Sequence, residues 1–186
     1  MKNLHKQFVN KQLGFTLIEL MIVLAVLAIV VSIALPNLRV MIANTQIRSV
    51  AESVRNGLQL ARAEAVKRNE SVRFTLNADR SWQLGCLNVI ADLDGDGVAD
   101  CPAVIMQKGA SEGGGGTVAI VGTGQVTFTS LGTTAAIGGQ LLQVDFTSSA
   151  IAMGTRPLRI TLGIGGNARM CDPSITDVND ARACQA

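Results

Sequence analysis

Tyrosine is absent from this chain, and tryptophan occurs once among 3% aromatic residues. Single-stranded nucleic acid is usually held on stacked aromatic rings, so the common platform for it is missing. Histidine is scarce as well, occurring once, at His5. Beyond that position no imidazole exists for a catalytic triad or a histidine general base. Charge is sparse at 16% and nearly balanced, with a formal net charge of +2. Nucleic-acid binding would therefore need a local patch rather than bulk basicity. The four cysteines form no C-x-x-C pair and only one histidine is present, which counts against a zinc site. Gly163-Ile164-Gly165-Gly166 lacks the strand-to-helix setting of a dinucleotide loop. No catalytic constellation is present, and the chain reads as non-enzymatic.

One long apolar run dominates what is there. From Phe15 to Leu35 the only charged residue is Glu19. As a helix this run spans roughly 31 Å at about 1.5 Å per residue, enough to cross a bilayer's hydrocarbon core. Lys2, Lys6 and Lys11 precede it without any acid, which favours a cytoplasmic N-terminus. A secretory signal peptide would end its apolar core with a small-residue cleavage site. Here the candidate cut, after Gly14, comes before the run instead. A carboxylate in a spanning helix costs up to about 2.5–3.5 kcal/mol at the helix centre and less near an end. Cleavage after Gly14 would create a cationic amine on Phe15, one helical turn from Glu19. The amine of a neighbouring copy could then pair with this carboxylate and make its burial tolerable.

Gly14-Phe15-Thr16-Leu17-Ile18-Glu19-Leu20 closely resembles the class III signal of type IV prepilins and type II secretion pseudopilins. The resemblance implies cleavage between Gly14 and Phe15 by a prepilin peptidase, methylation of the Phe15 amine, and Glu19 guiding entry into a helical filament. It also implies a single pass through the bacterial inner membrane with a periplasmic domain, followed by incorporation into a pilus or pseudopilus. Loss of residues 1–14 would leave 13 basic and 14 acidic residues.

Pro36 follows the run and should kink the helix. Beyond it Ile47, Val50, Ala51, Val54, Leu58, Ala61 and Ala65 recur at spacings of three and four, the stripe of a helix packed on a domain. Asn69 is a plausible stop. From Ser71 the apolar period becomes two, and Val72–Leu76 and Trp82–Leu84 read as a hairpin around Asn77-Ala78-Asp79. Further strands are expected at Cys86–Ala91, Ala103–Gln107, Val118–Val121, Val126–Leu131, Leu141–Phe146 and Leu158–Ile164. Gly113–Gly116 reads as a flexible loop, and Gly138-Gly139 and Gly165-Gly166 read as turns. The predicted class is α+β: a long N-terminal helix packed on a C-terminal antiparallel domain, a β-sandwich or two small sheets. The domain reading is leader 1–14, membrane or filament-core helix 15–35, amphipathic continuation 36–70, and a β-rich domain 71–186. This order, residues 14–36 and the passage Leu60–Arg68 resemble the GspH/FimT family of minor pilins and pseudopilins.

Asp92, Asp94 and Asp96 alternate, a glycine follows at Gly97, and Asp100 takes the ninth place of a calcium-loop pattern. Calcium takes six to eight hard oxygens, and one such turn can supply most of them. The twelfth position is Ala103 rather than a bidentate Glu, so a solvated acidic turn competes with the metal reading. Cys86, Cys101, Cys171 and Cys184 allow three pairings. In an oxidising compartment disulfides are favoured. Local pairing, Cys86 with Cys101 and Cys171 with Cys184, would close loops of 14 and 12 intervening residues. Each closure would contribute roughly 3 kcal/mol in the chain-entropy view.

Three functions fit the resemblance. The first is a minor structural subunit of a type IV pilus, assembling with other pilins, and cysteines near the C-terminus resemble that group. The second is a type II secretion pseudopilin of the H class. The third is a DNA-binding minor pilin acting in DNA uptake, where the resembled proteins carry Gly-Arg-x-Arg. At Gly166-Asn167-Ala168-Arg169 only Arg169 matches, with Arg156 and Arg159 nearby in sequence and Asp172, Asp177 and Asp180 offsetting them.

Overall fold

A computed structural model describes residues 14–93, 95, 99–112, 116–135, 141–151, 153–177 and 179–184. Residues 1–13 of the expected leader, Asp94, Asp96, Gly97, Gly113–Gly115 and the Gly138-Gly139 turn lie outside them. The chain divides into two compact units, one ending at Arg39 and the other starting at Val40.

Helix α1, Leu17–Arg68, contributes to both units. Its first part is apolar on every side, and the most apolar 18-residue window has a mean hydropathy of 2.9 with none of it buried. A helix apolar all round needs lipid or other helices around it. Pro36, expected to kink the helix, lies inside it with helix on both sides, since the ring removes only one backbone donor.

In the second unit the helix buries Ala43, Ile47, Val50, Ala51, Val54, Leu58, Ala61 and Ala65. Their spacing of three or four keeps them on one face. Gly57 is buried on the same face, and a Cβ there would stand 2.7 Å from the Phe74 ring and 3.2 Å from Trp82. The helix ends at a left-handed residue, Asn69 (φ 53°). The Asn69 N–H donates to the Val66 carbonyl at 3.3 Å and the Glu70 N–H to Ala65 at 3.2 Å. These two bonds are the Schellman closure, which satisfies carbonyls the helix leaves open. Lys67 and Arg68 in the last turn favour the negative end of the helix dipole.

Among the described residues, eight strands form two antiparallel sheets. The first has the order β3 (Met106–Lys108), β2 (Trp82–Cys86), β1 (Val72–Leu76), β5 (Gly124–Phe128). The second has the order β4 (Val118–Val121), β6 (Gln143–Ser148), β7 (Leu158–Leu162), β8 (Ala168–Cys171). Register sets Phe74 opposite Leu84 and Val126, and Val144 opposite Ile160. These residues join the helix stripe in one buried cluster. Phe74, Phe128 and Phe146 are fully buried there, each contributing about 1.5–3 kcal/mol.

Several expected strands are shifted. Cys86–Ala91 is not a strand, because β2 ends at Cys86, and only Ile90 bridges to Cys101. Gly85 explains the break in part: a Cβ there would fall 1.8 Å from the Ala103 carbonyl oxygen, so the returning chain crosses tightly. That crossing displaces the expected Ala103–Gln107 strand to Met106–Lys108. Strand β8 has no counterpart among the expected strands; it is short and follows directly on the Gly165-Gly166 turn.

Candidate assembly site and exported faces

Residues 14–16 carry no regular structure, and the helix begins at Leu17. Among the described residues nothing lies within 4 Å of the position a Gly14 Cβ would occupy, and Phe15 is 86% exposed. The hydroxyl of Thr16 accepts the Glu19 N–H at 3.3 Å, so Thr16 caps the helix and Glu19 occupies the third helical position. Thr16-Leu17-Ile18-Glu19 is the pattern of a capping box, a signal readable in the sequence but missed by reasoning on charge alone. Glu19 is exposed and set in the first turn, where a carboxylate also complements the helix dipole.

The acidic loop is clamped from two directions. A disulfide joins Cys86 to Cys101. Ile90 and Cys101 exchange backbone hydrogen bonds of 2.9 and 3.2 Å. From the helix, Glu64 receives the Arg68 Nε–H at 2.8 Å, and the same guanidinium donates from Nη1 to the Asp100 carbonyl. Within the loop, Asp92 Oδ1 accepts the Gly95 N–H at 2.6 Å, and Asp100 Oδ2 accepts the Leu93 N–H at 3.0 Å. Both carboxylates thus serve as loop-closing acceptors. Among the described residues no three His, Cys, Asp or Glu side chains are grouped to hold a metal ion.

The second disulfide joins Cys171 to Cys184. It lays the tail beside β8, where the Asp172 N–H donates to Arg182 at 2.7 Å. This covers one end of an otherwise open strand edge. Asp180 Oδ2 pairs with Arg182 Nη2 at 2.7 Å, and that guanidinium is the main cause that pulls the carboxyl down to about 2.

The three arginines considered for DNA are not one free cluster. Arg159 stands opposite Asp145 and donates to it from Nε and Nη2, at 2.6 and 3.0 Å. Arg169 stands opposite Thr161 on the same face and donates to the Ala181 carbonyl at 3.3 Å. Arg156 lies in the β6–β7 loop, where its N–H donates to Asn44 Oδ1 at 2.7 Å. Sequence reasoning also misses Arg62, whose Nε–H reaches the Gly132 carbonyl at 2.9 Å. Gly166 packs on the same carbonyl, and with φ +75° and 2.1 Å of room for a Cβ it must be glycine. The partner being a backbone oxygen 70 residues away, no sequence signal marks it.

Two family models match the sequence. The prokaryotic N-terminal methylation motif matches residues 9–35, across the Gly14–Phe15 bond and the apolar run. The type II transport protein GspH model matches residues 50–166. Two crystal structures of the Pseudomonas aeruginosa (strain PAO1) type IV minor pilin FimU are similar to this chain. One is 19% identical with a TM-score of 0.45, covering 66% of this chain and 90% of that one. The other is 20% identical with a TM-score of 0.44, covering 68% and 87%. No curated protein sequence matches. With well over half of its length matched by one family model, and the methylation motif at the head of its helix, the chain belongs to the GspH family of type II transport proteins.

Proposed function

We propose that the protein is a minor structural subunit of a type IV pilus, held in the inner membrane by α1 until it enters the filament. The observation that carries this reading is the head of α1: an exposed Phe15, then a capped helix apolar on every side with one exposed carboxylate in its first turn. Cleavage there by a prepilin peptidase, followed by methylation of the Phe15 amine, would leave a rod that needs lipid or other helices around it. Glu19 would meet the Phe15 amine of a neighbouring subunit, which makes its burial acceptable only inside an assembly. The role is structural, and the chain is a substrate of the peptidase rather than an enzyme.

Intact-mass and N-terminal peptide analysis of protein from native membranes tests the processing; the expected mature chain starts at a methylated Phe15. A start at Met1 or after Ala34 overturns the reading. Glu19→Ala is expected to insert and be cleaved normally while losing assembly, and unaltered piliation by that variant would contradict the pairing. A type II secretion pseudopilin is the second reading, favoured by the GspH match itself. Deletion separates the two, since loss of pili with normal secretion supports the first and the converse supports the second.

A further inference from the structure

The described residues of the β6–β7 loop, 149–151 and 153–157, include outward-facing apolar side chains. Ala150 is exposed, Met153 is 85% exposed, and no acid occurs between Phe146 and Cys171. The loop is nevertheless well fastened. Ser149 donates its N–H and its hydroxyl to the Thr117 carbonyl at 2.8 and 2.9 Å. Ser148 Oγ accepts the Ala150 and Ile151 N–H groups at 3.3 and 3.1 Å. Toward the helix, Arg156 N–H is held by Asn44, the Thr117 hydroxyl bonds Gln46, and Gly154 sits over Val40, 3.6 Å from a would-be Cβ. The tip is thus pinned beside Val40–Asn44, where Met41 is 67% and Ile42 50% exposed.

Position says what this surface meets. Val40 follows Leu35, the last residue of the apolar run, by only five residues. That much chain reaches at most about 18 Å even when fully extended, which bounds the distance from Leu35 to Val40, the residue beside Gly154. Charge agrees with position. No Asp or Glu occurs from Leu20 to Ala51, and the loop adds the exposed Arg156. An apolar tip beside a guanidinium suits a bilayer interface, with apolar atoms below the headgroups and the cation among phosphates.

We propose that the β6–β7 loop docks the exported domain on the lipid surface, with Ala150 and Met153 entering the headgroup–acyl boundary and Arg156 meeting anionic phosphate groups. The inference rests on the membrane-anchored reading above. A second copy of this chain is the competing occupant.

The full chain is reconstituted into vesicles of phosphatidylethanolamine and phosphatidylglycerol, with or without brominated acyl chains. Wild type emits from Trp82 alone, which is 7% exposed within the domain. Met153→Trp adds a second emitter, and brominated lipid is expected to remove most of the added emission while leaving that of wild type unchanged. Arg156→Glu, built on Met153→Trp, is expected to weaken that quenching. Added emission that is insensitive to bromine overturns the proposal, whether it is red-shifted in water or blue-shifted beneath a second copy. Ala150→Trp serves as the probe if Met153→Trp does not form both disulfides. Release of the chain by alkaline carbonate sinks the anchored reading and this proposal together; retention with unquenched emission sinks this proposal alone.

Discussion

Asp145 and Arg159 face each other across β6 and β7, and the guanidinium grips both carboxylate oxygens, at 2.6 and 3.0 Å. The hydrogen bond to Asp145 holds Arg159 charged even more firmly than an ordinary guanidinium. A DNA phosphate would have to displace that carboxylate, which removes one cation from the sequence-predicted patch. Little or no retardation of duplex DNA by the purified chain is therefore expected at physiological salt. Each phosphate neutralised contributes about −0.9 to the salt slope, so two remaining contacts give weak and salt-sensitive binding. Asn167→Arg is expected to strengthen it and Arg169→Ala to abolish it. Tight wild-type binding would instead make DNA uptake the leading function.

Gly57 sits mid-helix under the Phe74 and Trp82 rings. Alanine there gains about 1 kcal/mol of helix propensity but overpacks the core at a cost of about 1–3 kcal/mol. Gly57→Ala should therefore destabilise the chain by about 1 kcal/mol net, whereas an exposed helix glycine would be stabilised. A urea titration of the detergent-solubilised protein gives the sign.

Much of the fold is legible in the spacing of apolar residues. The helix stripe from Ile47 to Ala65 is long and strictly periodic, and Val72–Leu76 alternates cleanly, so both stand out in the sequence. The expected strand Val118–Val121 coincides with β4 to the residue. The stretch after Cys86 misleads because Leu87, Val89 and Ile90 have strand composition, while the Gly85 crossing and the Cys101 bond turn the chain away. Of the candidate site, Gly14, Phe15 and Glu19 stand out by their order at the head of the apolar run and by their likeness to a prepilin signal. Pairings such as Arg62 with Gly132 or Arg156 with Asn44 involve backbone groups, which carry no residue-type signature.

The acidic loop closes on its own amides through Asp92 and Asp100, and its twelfth place is Ala103. The expected result is no shift in melting temperature between millimolar calcium and chelator. A bound ion at a hundred times its Kd would add about 2.7 kcal/mol, easily seen as a shift of several degrees. Such a rise, lost in Asp92→Asn, would assign the loop to calcium.

Asp180 titrates at about 2, below its ordinary 3.8, mainly through the Arg182 side-chain hydrogen bond. A depressed carboxyl contributes its stabilisation above the ordinary value and loses it as pH falls through the folded one. Protection of the Arg182 and Ala183 amides in the tail is therefore expected to hold at pH 5 and fade between about 4 and 2. Arg182→Ala should move that fading upward, toward the usual carboxylate range. Amide exchange followed by NMR provides the readout.

The two disulfides also put the domain's maturation in order. Thiols stay reduced where chains are synthesised, and they pair only in an oxidising compartment. Before that, Ile90 and Ala183 still pack and the hydrogen bonds of Ile90 with Cys101 and of Asp172 with Arg182 remain, without a covalent tie at either place. Most of the helix stripe and the two sheets is aliphatic or aromatic burial that needs no oxidant, but Cys86 and Cys101 themselves sit in that core. The first disulfide is thus part of the packed core, whereas the second fastens the tail beside β8. A chain kept reduced therefore lacks one bond inside its packed core and one at its tail, and its packing is completed only where thiols can pair.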